Sequence, residues 1–124
     1  MKKKLLPISL CAVCAVVITV SFGFRCGSPT TVQERVIKIT ARKFDFSPAE
    51  ITVKKGEVVV LEITSSDRVH GFNLPDFKLS SEIKPGEVTR LRLTPGKPGQ
   101  FVFSCNVFCG SGHEDMAGTL TVTE

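Results

Sequence analysis

From residue 27 onward no stretch of this chain offers the apolar stripe of a long helix. Short β-branched runs are instead cut by proline and glycine. The breaks stand at Lys55-Gly56, Lys84-Pro85-Gly86 and Pro95-Gly96-Lys97-Pro98-Gly99, residues whose backbone preferences suit turns. Between them, residues 35–41 alternate, with Ile37, Ile39 and Ala41 on one side. Residues 49–53 read as a short strand. Residues 57–64 are nearly continuous, with Val59, Leu61 and Ile63 on one face. Residues 87–93 set Thr89, Leu91 and Leu93 opposite Val88, Arg90 and Arg92, and residues 100–105 and 119–123 close the set. Several short strands with such turns predict an all-β Greek-key sandwich. The chain has no Trp and no Tyr, so Phe carries every aromatic contact. Phe44, Phe46, Phe101 and Phe103 are expected in the core or on strand faces.

Ahead of this region lies a different kind of sequence. Residues 5–24 carry no charge and follow Lys2, Lys3 and Lys4. A spanning helix needs about 20 apolar residues, whereas the core of a secretory signal runs about 7–15. The length therefore predicts one retained N-terminal apolar helix. Its basic start stays in the cytoplasm, and the rest of the chain lies outside the cell membrane, on the periplasmic side. Ser21-Phe22-Gly23 is a small-x-small triplet that a signal peptidase can accept, so a cleaved, secreted form is the alternative. Cys26-Gly27-Ser28 has the look of a lipoprotein start, but Phe24 and Arg25 before it are wrong for lipidation. Cys11 and Cys14 read as small buried apolar residues. The expected organisation is an anchor or signal over residues 1–26, a polar linker over 27–34 and one folded domain over 35–124.

Charge narrows the function. The formal net charge is +4, but Lys2, Lys3, Lys4 and Arg25 supply it. The remaining 12 basic residues balance 12 acidic ones, so nothing supports nucleic-acid binding. With 42% hydrophobic and 23% charged residues, a disordered chain is excluded.

The chemistry sits in Cys105-Asn106-Val107-Phe108-Cys109-Gly110-Ser111-Gly112-His113-Glu114-Asp115-Met116. Reduced to donors this is C-x3-C-x3-H-x2-M, predicted as a loop between the last two strands. Gly110 and Gly112 let it bend back. His70, 35 residues before Cys105, lies in a predicted turn that a sandwich can bring alongside. Thiolate, thioether and imidazole together form a soft set suited to copper. Zinc would accept the two cysteines and two histidines but leave Met116 idle. His70, Cys109, His113 and Met116 alone complete a mononuclear electron-transfer copper site, for which Cys105 is surplus. A Cys105–Cys109 disulfide is the bland reading for an exported protein. Phe72 and Phe108, each beside a donor, are expected to cover the metal, with an apolar docking patch as the alternative. No general base or open substrate pocket is evident, so catalysis by the domain alone is not expected.

On these residues the sequence resembles the copper-binding domain of cytochrome c oxidase subunit II, a cupredoxin sandwich carrying the dinuclear copper centre CuA. The loop, the distant histidine and the closing strand carry the likeness. Phe44-Asp45-Phe46-Ser47-Pro48, Ile63-Thr64-Ser65-Ser66-Asp67 and Lys84-Pro85-Gly86-Glu87 extend it over about residues 35–124. The resemblance implies that Cys105 and Cys109 bridge two copper ions. It implies His70 and His113 as terminal ligands, one per copper, Met116 as a weak ligand on one and the Val107 backbone carbonyl on the other. It further implies a cytochrome c-like electron donor and the catalytic subunit of a haem-copper oxidase as acceptor. Two departures stand out. Many members carry Glu at the position of Val107, where the side chain helps hold a magnesium ion, which valine cannot do. The usual two-helix anchor is also absent, so the chain is more similar to the smaller one-helix branch. A copper-trafficking or storage protein using the same soft ligands is the alternative from another class.

Overall fold

A computed structural model describes Gly23 and residues 27–124. The predicted anchor helix, the signal-cleavage and lipoprotein alternatives, and Cys11, Cys14 and Cys26 lie outside the described residues, Gly23 apart. Among the described residues no helix is long and apolar enough to cross a membrane.

Nine strands form the unit spanning Thr31–Glu124. They are β1 (Glu34–Arg42), β2 (Asp45–Ser47), β3 (Glu50–Lys54), β4 (Val58–Ser65), β5 (His70–Leu74), β6 (Leu79–Ile83), β7 (Thr89–Leu93), β8 (Gly99–Ser104) and β9 (Ala117–Thr123). They build two sheets, ordered β2-β1-β4-β7 and β3-β9-β8-β5-β6. Both sheets are mixed. β1 runs parallel to β4, pairing Ile37 with Leu61 and Ile39 with Ile63, and β3 runs parallel to β9. The remaining pairs are antiparallel.

The period-two pattern decides which face is buried. Ile39 and Ala41 of β1 and Val59, Leu61 and Ile63 of β4 are all buried, as the alternation requires. Ile51 and Val53 of β3 and Leu120 and Val122 of β9 do the same in the second sheet. Between the sheets Phe46, Phe72 and Phe103 pack edge-on or tilted, with ring centroids 5.2–5.9 Å apart. Such rings contribute about 0.5–1.5 kcal/mol per pair beyond their burial. Phe101 is also buried and Phe44 partly so.

Three strands escaped the sequence reading: β2, β5 and β6. The predicted turn at His70 is a strand start instead, because His70 pairs with Ile83 across the β5–β6 hairpin. The expected linker also ends one residue early, since Glu34 already pairs with Val58.

Candidate metal centre

The site lies where the loop leaving β4 meets the loop between β8 and β9. The second loop is closed at its base by the Cys105 N–H, which donates to the Met116 carbonyl over 3.0 Å. Both donors at its ends are thereby fixed to the sheet. His113 begins a single 3-10 turn, His113–Asp115, whose last residue leads into Met116. The two glycines do more than bend the chain. Gly110 has φ +137°, a conformation L side chains rarely adopt, and a Cβ there would lie 2.9 Å from the Phe44 ring. A Cβ on Gly112 would overlap the same ring. Phe44 is thus the floor on which the loop rests.

His70 is completely buried. Its Nε2 lies 2.6 Å from Asp67 Oδ1; against a carboxylate Nε2 is the donor, and in the neutral tautomer Nδ1 is then the free lone pair. Nδ1 is buried and has no hydrogen-bond partner. A buried polar atom without a partner is rare. The ring belongs to a cluster with sulfur: one ligating atom each from His70, Cys105 and Cys109 lies within 4.8 Å of the other two. The Cys105 and Cys109 sulfurs are 3.8 Å apart and both thiols are free, so the disulfide reading does not describe this state. Bonds of about 2.3 Å to one tetrahedral metal ion would hold two sulfurs at nearly that separation. Cys109 Sγ also lies 3.8 Å from His113 Nδ1 and 3.9 Å from Met116 Sδ. The Val107 carbonyl accepts from the Cys105 thiol at 3.1 Å. All six residues singled out by sequence therefore meet in one cluster, and the soft donors with an orphan imidazole nitrogen fit copper.

The electrostatics agree. Burial, then the neighbouring Cys105, pushes the Cys109 thiol upward, while the Arg68 guanidinium works the other way. A bound cation would oppose both upward effects on Cys109. Burial works against ionisation of Asp67, but hydrogen bonds from His70 and from the N–H groups of Lys43 and Arg68 outweigh it. The Asp67 pKa is lowered to about 2. Asp67 is therefore a carboxylate acceptor at neutral pH, which fixes the tautomer and direction of the His70 ring.

Residues outside the donor set complete the frame, and spacing gave no sign of them. The Gly71 N–H donates to Cys105 Sγ over 3.2 Å. Asn106 Nδ2 donates to Ser80 Oγ over 2.9 Å. Arg68 Nη1 donates to the Cys109 carbonyl over 2.9 Å. The expectation for two aromatics needs correcting. Phe72 does not cover the site but sits in the core, fully buried between Phe46 and Phe103. Phe108 is 80% exposed, its ring centroid 5.8 Å from that of His113. It flanks one donor rather than sealing the cluster.

The model of the Cupredoxin-like domain family matches residues 11–122. A cytochrome c oxidase subunit 2 from Thermus thermophilus is 37% identical over 95 residues, covering 77% of this chain and 70% of the relative. One chain of a heme-copper terminal oxidase dimer solved by cryo-EM superposes with TM-score 0.66 at 29% identity, over 77% of this chain and 75% of that one. The periplasmic domain of subunit II of cytochrome oxidase from Bradyrhizobium japonicum superposes with TM-score 0.68 at 22% identity, a likeness of fold, over 73% and 84%. The chain belongs to the cupredoxin-like domain family and, within it, to the cytochrome c oxidase subunit 2 group.

Proposed function

We propose that the domain passes single electrons through a dinuclear CuA-type copper centre, from a cytochrome c-like donor to the catalytic subunit of a haem-copper terminal oxidase. Cys105 and Cys109 are the bridging thiolates. His70, through Nδ1, and His113 are the terminal ligands, and Met116 and the Val107 carbonyl are the weak ones. The observation that carries this reading is the placement of Cys105. A mononuclear site would have no use for it, yet it is as buried as Cys109 and belongs to the same cluster as the orphan His70 nitrogen. When bound, the metal pair supplies a site that gains and loses one electron without substrate chemistry. The chain's own part is to keep its donors still. Asp67 holds the imidazole from behind, Gly71 holds one sulfur, and Phe44 supports the loop. Donors fixed in a packed frame move little when charge changes, which keeps electron transfer fast.

The same reading keeps residues 5–24 as a membrane anchor and puts the domain on the extracytoplasmic side. The full chain should then stay with the membrane through a high-salt wash, which screens charges and spares apolar insertion.

The deciding experiment loads the full chain with copper and records metal content and electron paramagnetic resonance. Two coppers per chain with a seven-line hyperfine pattern, from one unpaired electron shared over two nuclei, support the proposal. Cys105→Ser and Cys109→Ser should each abolish that pattern, because serine is a harder, far less acidic donor. A Cys105→Ser protein that keeps the wild-type spectrum would defeat the dinuclear assignment. One copper with four lines in the wild type would favour the mononuclear reading, and a preference for zinc would reject both.

A further inference from the structure

Arg68 is exposed, yet its side chain spans the gap between the two donor-bearing loops. Its Nη1 donates to the backbone carbonyl of Cys109, 41 positions along the chain, over 2.9 Å. The start of that reach is fixed. The Arg68 N–H donates to Asp67 Oδ1 over 2.7 Å, and the Arg68 carbonyl accepts from the Ser65 hydroxyl. Asp67 is in turn held by the Lys43 N–H over 2.8 Å and carries His70 on Oδ1. Two adjacent residues therefore hold opposite sides of one cluster. Asp67 sets the imidazole, and Arg68 sets the backbone beneath the thiol.

Beyond its packing on Phe44, the far end has few other hydrogen bonds. The hydrogen bonds within the β8–β9 loop join Cys105 to Met116, His113 to Gly110, Asp115 to Gly112 and Met116 to His113. They shape the loop without docking the Cys109 stretch onto another element. Asn106 anchors the first part to Ser80. At Cys109 the polar link to the facing loop is the guanidinium.

We propose that Arg68 is a positioning residue: its hydrogen bond to the Cys109 carbonyl latches the β8–β9 loop onto the β4–β5 loop and presents the Cys109 sulfur to His70 before metal arrives. The latch is a property of the metal-free fold, and its service to a metal centre rests on the proposed function. Arginine suits the task because a charged donor on a long stem makes a stronger bond than a neutral one, and its planar head is pre-organised.

The test uses the full, reduced chain as wild type, Arg68→Ala and Arg68→Lys. The first measurement is amide hydrogen exchange of the metal-free protein, resolved by peptide. A charge-assisted hydrogen bond, discounted for exposure, corresponds to about a five- to tenfold change in local opening. Arg68→Ala is expected to speed exchange by that factor in peptides spanning residues 106–113, with the β-strand peptides and the unfolding midpoint unchanged. Arg68→Lys, with the same charge and a slightly shorter donor, should bring the rate back toward wild type. The second measurement loads the chains with copper and follows its loss to an excess of chelator, which should accelerate by a similar factor in Arg68→Ala and recover in Arg68→Lys. Unchanged loop exchange in Arg68→Ala would overturn the latch. So would a uniform rise across all peptides, which marks general destabilisation, or a failure of lysine to restore. Faster loop exchange with copper loss at the wild-type rate would overturn its service to the metal. A wild-type chain that takes up no copper defeats the proposed function, and the exchange arm still decides the latch.

Discussion

Gly71 shows how closely the two halves of the site approach. It follows a completely buried histidine, gives its N–H to Cys105 Sγ and lies against the other loop. A Cβ at this position would overlap the Asn106 side chain and come within 2.8 Å of the Val107 nitrogen and 2.9 Å of the Asn106 nitrogen. Backbone cannot swing aside as a side-chain tip can, so the loop must lift. Gly71→Ala is expected to cost about 1–3 kcal/mol, the range for overpacking. For a domain of this size that lowers the midpoint by roughly 5–20 °C, which a thermal melt of the metal-free protein will register. Asp67→Ala acts differently. It removes the acceptor shared by His70 and two backbone N–H groups. Water can reach the two N–H groups, so the stability loss should be about 1–2 kcal/mol. The freed imidazole ring should cost copper affinity about 10–100-fold, the usual effect of removing a ligand's orienting partner. Copper titration of the two proteins separates these effects. Val107→Ala is the contrasting case. Its carbonyl, which any residue supplies, is the group that meets Cys105, so copper content and spectrum should stay as in wild type.

At the scale of elements, what could be read in advance was what alternation writes into the chain. β1, β4, β7 and β9 show their faces in the sequence, and Ile39, Leu61, Leu93 and Leu120 are buried accordingly. β5 is different. His70-Gly71-Phe72-Asn73-Leu74 contains glycine and asparagine, both poor strand formers, and its strand character comes from pairing with β6. The same holds for β2, whose three residues are a strand because Thr40, Ala41 and Arg42 lie beside them. The donors were legible because metal chemistry constrains residue type and spacing together. Arg68, Phe44 and Asn106 were not, because each acts on a partner far along the chain, and Asp67 was not, because an aspartate three residues before a histidine is an ordinary residue where it stands. Phe72 was misassigned for a related reason. Adjacency to a ligand suggested a cover, whereas in a strand the side chain two residues after His70 points to the same face and enters the core. Phe72→Ala should therefore act on the whole sandwich. A buried Phe truncated to Ala costs about 3–5 kcal/mol, and both the metal-free and the copper-loaded protein should lose stability by similar amounts. A loss confined to the loaded protein would return Phe72 to the metal centre.

For the molecule as a whole, the donors join segments that are far apart in sequence, from the start of β5 to the end of the β8–β9 loop. Metal that binds this arrangement and not the unfolded chain adds its binding free energy to folding. At a free concentration of 100 times the dissociation constant a single site adds about 2.7 kcal/mol, or roughly 10–20 °C in the midpoint of a domain this size. One correction has a definite sign. Cys105 and Cys109 stay four residues apart when the chain unfolds, and a C-x3-C pair can still capture copper, so the gain will fall short of the full figure. His70 escapes that correction, because it reaches the cysteines only in the folded domain. Copper is therefore expected to raise the wild-type midpoint, and an excess of chelator to reverse the rise. His70→Ala removes a donor exclusive to the folded state and leaves the local pair intact. In that variant the rise should shrink by more than half, and copper retained by the unfolded chain should be unchanged. If His70→Ala kept the full rise, copper would be held by the short cysteine loop alone and a centre joining β5 to the β8–β9 loop would be wrong.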